Sequence, residues 1–291
     1  RDPPPEVEGV SAESGRPREV PVSWDASPDE KVTGYQVSRA DPGRDALSPI
    51  ATVQGRETTS YVDKGGAKPS ALGRLSDGAE YTYQVYAFNT AQAFSKPSRV
   101  ASATTKVVPQ APTGLAATTN LPKAVTLTWA PNPETDIREY VVEGSAAGAA
   151  RFREVARVPA SAEETVTATE SRLADGVGRV YRVKAVDKDT LESAWSEAVD
   201  AGTKPLPPAP ADLKAELNDD GALLSWTPPD LPDIKEYKIW KKGFITSDLL
   251  KTTDEAEYQL LPADIGKKLT VMVSAVDNDG LESERTAPVE I

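Results

Sequence analysis

The sequence predicts an all-β chain of three tandem, seven-stranded β-sandwiches in an elongated array. Two observations carry this. A proline-led opening, a tryptophan strand and a tyrosine eleven residues later recur three times. Each recurrence is followed by a long run that alternates with a period of two, as a strand with one buried face does. Short strands with turns every ~8–12 residues pack as two sheets. No segment keeps an apolar helical period over several turns, so helices should be few.

The elements follow in chain order. The first repeat opens with Pro3-Pro4-Pro5-Glu6-Val7, passes through Val20-Pro21-Val22-Ser23-Trp24 and reaches Tyr35. Its alternating run is Tyr81-Thr82-Tyr83-Gln84-Val85-Tyr86-Ala87. The second has Pro109-Gln110-Ala111-Pro112, Val125-Thr126-Leu127-Thr128-Trp129, Tyr140 and the run Arg179 to Ala185. The third has Pro207-Pro208-Ala209-Pro210, Leu223-Leu224-Ser225-Trp226, Tyr237 and the run Leu269 to Ala275. Trp24, Trp129 and Trp226, with Tyr35, Tyr140, Tyr237 and Tyr81, are the expected core aromatics, because so strict a spacing is a packing constraint. The expected domains are 1–107, 108–204 and 205–291. The proline-bearing linkers at 104–109 and 202–208 should be stiff. A polar insertion, Lys64 to Ser70, should be an exposed, mobile loop. Three such sandwiches end to end would span on the order of 100 Å.

On these residues the chain resembles fibronectin type III domains, which are immunoglobulin-like sandwiches. The shared order is a proline-rich start, a Trp on the second strand, a Tyr on the third, and a Leu with Tyr-x-aliphatic-x-aliphatic-x-Ala before the last strand. Leu75, Tyr81, Val85, Ala87 and Asn89 carry it best. The resemblance implies a corner hydrogen bond at Tyr81. That bond should be missing where Arg179 and Leu269 stand instead. The phrases Trp129 to Tyr140 and Ala275 to Ser283 resemble those of bacterial secreted proteins and surface lipoproteins.

The 291 residues include neither Cys nor His. That removes disulfides, thiol nucleophiles, Cys/His zinc sites and a Ser-His-Asp triad. No enzymatic activity and no cofactor are expected. The net charge of −12 divides by domain as 13−14, 11−14 and 9−17, so the third is the acidic one. No basic stripe suited to nucleic acid is present. No apolar run approaches the ~20 residues of a membrane helix, and the sequence contains no signal peptide. It opens with Arg1-Asp2-Pro3 rather than Met, so it is expected to be a processed or trimmed product, with a possible lipid anchor upstream. None of the five asparagines lies in a glycosylation sequon, which favours a bacterial envelope or secreted protein. Asp187-Lys188-Asp189 and Asp277-Asn278-Asp279-Gly280 invite a calcium reading. Two or three carboxylates fall short of calcium's six to eight oxygens, so no metal site is expected. A paired-carboxylate sugar hydrolase would need a cleft that a small sandwich does not offer. Carbohydrate binding has no support beyond the aromatics.

Alternation leaves three aromatics outward. Trp240, three residues after Tyr237, stands where the other repeats have Ser38 and Glu143, both expected in solvent. Tyr86 and Phe88 share the outward phase of the first alternating run. These three are the candidate protein contacts. Trp195 should cover a sandwich edge or a junction. The expected function is a non-catalytic extracellular or cell-surface scaffold or adhesion protein that binds other proteins. The alternative is an accessory region of a secreted polysaccharide-degrading enzyme.

Overall fold

The computed structural model describes residues 2–66 and 73–291. Most of the expected 64–70 loop, residues 67–70, lies outside the described residues. The first strands are β1 (Ser11–Ala12), β2 (Val20–Ser23), β3 (Val32–Ala40), β4 (Ser48–Gln54), β5 (Ser60–Asp63), β6 (Glu80–Asn89) and β7 (Ala101–Thr104). They form two antiparallel sheets, β1-β2-β5 and β4-β3-β6-β7. The second set is β8 (Ala116–Ala117), β9 (Val125–Trp129), β10 (Ile137–Ala146), β11 (Arg153–Pro159), β12 (Val166–Glu170), β13 (Gly178–Asp187) and β14 (Val199–Gly202). Its sheets are β12-β9-β8 and β11-β10-β13-β14. The third is β15 (Ala211–Asn218), β16 (Gly221–Thr227), β17 (Ile234–Lys242), β18 (Ser247–Thr253), β19 (Glu257–Leu260), β20 (Thr270–Asp277) and β21 (Val289–Glu290), in sheets β15-β16-β19 and β18-β17-β20-β21. Among the described residues the one helix is α1 (Pro262–Ile265). The chain is thus all-β, in tandem sandwiches.

By backbone proximity the chain divides into two compact units. One comprises 1–112, 132–140 and 184–195; the other comprises 113–131, 141–183 and 196–291. The division passes through β10 and β13.

The repeat spacing has a packing cause. Trp24 and Tyr35 meet edge to face at 5.3 Å and 60°, and Trp226 and Tyr237 do so at 5.2 Å and 62°. All three repeat Trp and all three offset Tyr are buried, as is Tyr81. Edge-to-face rings gain beyond their buried area, which locks the two sheets at one offset. In the first sandwich Val20, Val22, Val37, Leu75, Val85 and Ala87 close the core around them.

A second repeated device finishes the sheets. Strands β7, β14 and β21 are only four, four and two residues long. The upper part of each long central strand is therefore paired otherwise. Ala87 and Val85 donate N–H to Ser95 Oγ and Ser98 Oγ at 3.0 Å each, and their carbonyls accept from Ser95 N–H at 2.9 Å and Ser98 N–H at 3.1 Å. Ser193 and Ser196 serve Ala185 and Val183 in the same way, and Ser283 and Thr286 serve Ala275 and Val273. A hydroxyl acceptor three residues from the next lets an irregular segment satisfy strand amides that would otherwise be orphaned.

Candidate functional site

Two clusters recur with the same geometry, each inside one compact unit. In the first, Thr105 is fixed by its own sandwich: Ala79 N–H donates to its Oγ1 at 3.0 Å, and Oγ1 donates to the Ser76 carbonyl at 2.6 Å. The next residue, Lys106, is thereby aimed outward. Its ammonium lies 2.5 Å from Asp136 Oδ2, 3.0 Å from Asp187 Oδ2 and 2.5 Å from Asp189 Oδ2. In the second, Thr203 takes Val177 N–H at 3.0 Å and donates to the Ala174 carbonyl at 2.7 Å. Lys204 then meets Asp233 at 2.6 Å, Asp277 at 3.0 Å and Asp279 at 2.5 Å.

The central carboxylate of each cluster has two jobs. One oxygen of Asp187 accepts the Asp189 and Leu191 amides, both at 2.9 Å, and shapes the turn after β13. The other faces Lys106. Asp277 does the same after β20, with the Asp279 and Leu281 amides at 2.9 Å. Both side chains are only 1% exposed, so an unpaired charge there would be costly. Burial lowers the Lys106 pKa, but its hydrogen bonds to Asp136, Asp189 and Asp187 outweigh this and raise it above 10.5. For Lys204 the bonds to Asp233 and Asp279 dominate, and its pKa is also raised. The Lys106 hydrogen bond holds Asp136 below its usual value. For Asp277, burial pushes upward, but the bond from Lys204 and the turn amides prevail and lower it.

These clusters contain the acidic loops that the sequence offered for calcium. Each trio of carboxylates could approach a cation, and in this fold the cation is a lysine ammonium of the same chain. In the first repeat the positions equivalent to the Asp136 trio are Lys31, Asn89 and Ala91. Asn89 keeps the turn-shaping job, with Oδ1 accepting the Ala91 and Ala93 amides at 3.0 and 3.1 Å, while its Nδ2 donates to the Asp2 carbonyl. Sequence reasoning weighed the aspartates and missed the lysines. The signal was present as Thr-Lys just before each linker proline, at Thr105-Lys106 and Thr203-Lys204.

The outward aromatics divide. Trp240 lies on the outer face of the β18-β17-β20-β21 sheet, half-buried. Its indole N–H donates to Ser274 Oγ at 2.9 Å, and the Arg285 guanidinium stacks 3.9 Å from its ring centre. Ser274 in turn donates to Glu282, which pairs with Lys238. Glu143, at the corresponding place, pairs with Arg182, whose guanidinium lies 4.0 Å from the Phe152 ring centre. Trp195 takes Lys184 over its ring at 4.7 Å. Tyr86 is half-buried beside Gln36 across the strand pair. Phe88 is a correction. It is 5% exposed, not an outward contact. A register shift between Val32 and Gly34 sets it opposite Gly34, where a side chain would collide with its ring, and Phe94 packs on it at 5.7 Å. Ser38, expected in solvent, is 3% exposed beside a bulge between Val37 and Ser38.

The corner hydrogen bond is present at Tyr81, whose hydroxyl accepts Ser76 N–H at 2.8 Å. Where the corner Tyr is replaced, buried charge chemistry differs between repeats. In the first sandwich Asp63 accepts from Tyr83 at 2.7 Å and from Arg39 at 3.0 Å, all three buried. In the second, Glu170 takes the place of Asp63 and Tyr181 that of Tyr83, with Arg179 supplying the guanidinium at 2.8 Å from the neighbouring strand. Gly144 leaves the space that Arg179 and Tyr181 fill. Burial, then the Glu170 hydrogen bond, pushes Tyr181 up to about 12. In the third sandwich Leu260 and Val271 replace carboxylate and phenol, and Leu269 is buried at the corner position.

No helix among the described residues is long and apolar enough to cross a membrane. No curated protein sequence matches the chain. Among solved structures it is similar to the crystal structure of chicken CNTN1 FN1-FN3 domains, at 16% identity over 100% of this chain and 99% of that one, with a TM-score of 0.33. Fibronectin type III domains are typically non-catalytic and generally mediate protein contacts or spacing in extracellular proteins. Residues 3–103 of this chain match the family model of the fibronectin type III domain.

Proposed function

We propose that this chain is a non-catalytic scaffold of the cell surface or extracellular space, built of modules 1–107, 108–204 and 205–291, that holds protein partners at set spacing. The observation that carries this reading is the lysine–triple-aspartate cluster, present at both linkers with contacts of 2.5–3.0 Å. A flexible tether between independent modules has no use for such a device. A spacer does, because each linker lysine is gripped by three carboxylates of the following repeat. Trp240 and Tyr86 are the aromatic candidates for partner contact, and Phe88 drops out because it is buried. Bacterial origin and an upstream lipid anchor accord with the residues quoted above and with the scaffold role.

The test is a distance measurement across each linker. Spin labels are placed on exposed positions of the same unit on either side of the linker, for example Glu80→Cys with Thr135→Cys, in the otherwise cysteine-free chain. A narrow distance distribution that broadens in Lys106→Met supports the spacer reading. An equally broad distribution in the parent protein and the variant would refute it.

A further inference from the structure

The β17–β18 hairpin tip is unlike its two counterparts. It reads Lys241-Lys242-Gly243-Phe244-Ile245-Thr246. Phe244 and Ile245 are 104% and 89% exposed. The turn is closed, with Gly243 N–H donating to the Thr246 carbonyl at 2.9 Å, and a side chain at 243 would lie 2.3 Å from that carbonyl. The two apolar side chains are therefore presented on a defined turn. The matching β3–β4 connection is Asp41-Pro42-Gly43-Arg44-Asp45-Ala46-Leu47, with Leu47 half-buried. The matching β10–β11 connection is Ala147 to Phe152, and Phe152 lies under Arg182. The sandwich thus folds without an apolar tip.

We propose that this tip inserts into the surface of an anionic lipid bilayer. The tip is convex, and its two apolar side chains offer on the order of 350 Å². A stable protein interface needs about 800 Å² on each partner, whereas shallow insertion needs a small apolar wedge with basic residues beside it. Lys241 and Lys242 supply those charges. Both are exposed, and neither ammonium forms an ion pair among the described residues. The rest of residues 205–291 is acidic, but its repulsion from headgroups is screened beyond about 8 Å at physiological salt. The tip projects from the end of the hairpin, where Lys242 stands next to it and Lys241 faces Asp248 across the strand pair, so one positive charge remains in excess there. This reading is independent of the linker clusters and of Trp240.

The experiment is flotation of the full chain with vesicles of phosphatidylcholine, with and without phosphatidylglycerol. Wild type should float with the mixed vesicles, less so at high salt. Phe244→Ser with Ile245→Ser should lower the partition coefficient about tenfold or more, with an unchanged melt because neither side chain packs on the core. Lys241→Glu with Lys242→Glu should reduce binding to mixed vesicles selectively. Phe244→Trp should blue-shift its emission on the same vesicles. A double-serine variant that floats as wild type does would overturn the proposal. So would a wild-type chain that stays in solution, or one whose tip-dependent behaviour is self-association without lipid.

Discussion

Replacing Lys204 by Met keeps the length of the side-chain stem and removes the ammonium from its cluster. Three carboxylates are left with oxygens within 4.8 Å of one another. At an effective dielectric near 20, each like-charge pair at that separation repels by about 3 kcal/mol. Two effects limit this. Asp233 and Asp279 are 30% and 44% exposed, so water relieves them, and the linker is free to move off. What remains is Asp277, 1% exposed, with one oxygen unpaired. Loss of a charge-assisted bond to such a group costs about 2–3 kcal/mol. Native-state hydrogen exchange reads this locally, because the Asp279 and Leu281 amides are held by Asp277 and the Asn278 amide by the Asp233 carbonyl at 2.8 Å. Their protection should fall about 30- to 150-fold. Asp277→Asn should then restore most of it in the Lys204→Met background, since Asn89 shows that an amide oxygen holds the same turn. Protection within twofold of wild type in Lys204→Met, or a double variant no better protected than the single one, would refute the reasoning.

Asp63→Leu alone leaves the buried Arg39 guanidinium with its more exposed partner Asp41, at 3.1 Å, and should destabilise the first sandwich by about 3 kcal/mol. Arg39→Leu, Asp63→Leu and Tyr83→Val together should come close to wild type in a urea melt, as Leu260 and Val271 do in the third sandwich. A triple variant as weak as the single one would show that the charges are not what matters there. Asp136 and Asp277 titrate below 3.8 and both lysines above 10.5. The depressed carboxylates stabilise the clusters above pH 3.8 and lose this as pH falls through their folded values. The raised lysines stabilise below pH 10.5 and lose this as pH rises further. Spin-label distances across the linkers should therefore hold constant through neutral pH and broaden only outside that window; broadening near pH 6 would contradict the assignment. Millimolar calcium should leave the melting temperature nearly unchanged, because a lysine already holds each carboxylate trio. A rise of several degrees, abolished by Asp277→Ala, would mean that calcium displaces it.

The sequence by itself determined the strands, their sandwich class and the core aromatics. Those depend on period-two alternation and on one offset between Trp and Tyr, both local properties of the chain. It also placed Trp240 outward, since Tyr237 and Ile239 are buried on the opposite phase. Alternation has no knowledge of what covers an outward face. Phe88 has the outward phase yet is buried, because Gly34 and Phe94 come from other parts of the chain to receive it. The lysine clusters lay further out of reach. Lys106 joins aspartates 30 and 83 residues away, and Lys204 joins aspartates 29 and 75 residues away. Read locally, Asp187 and Asp277 are turn residues in acidic loops, and the lysines are ordinary linker charges. Only the folded chain decides that one cation fills each trio, because that pairing depends on where two loops and a strand end converge in space.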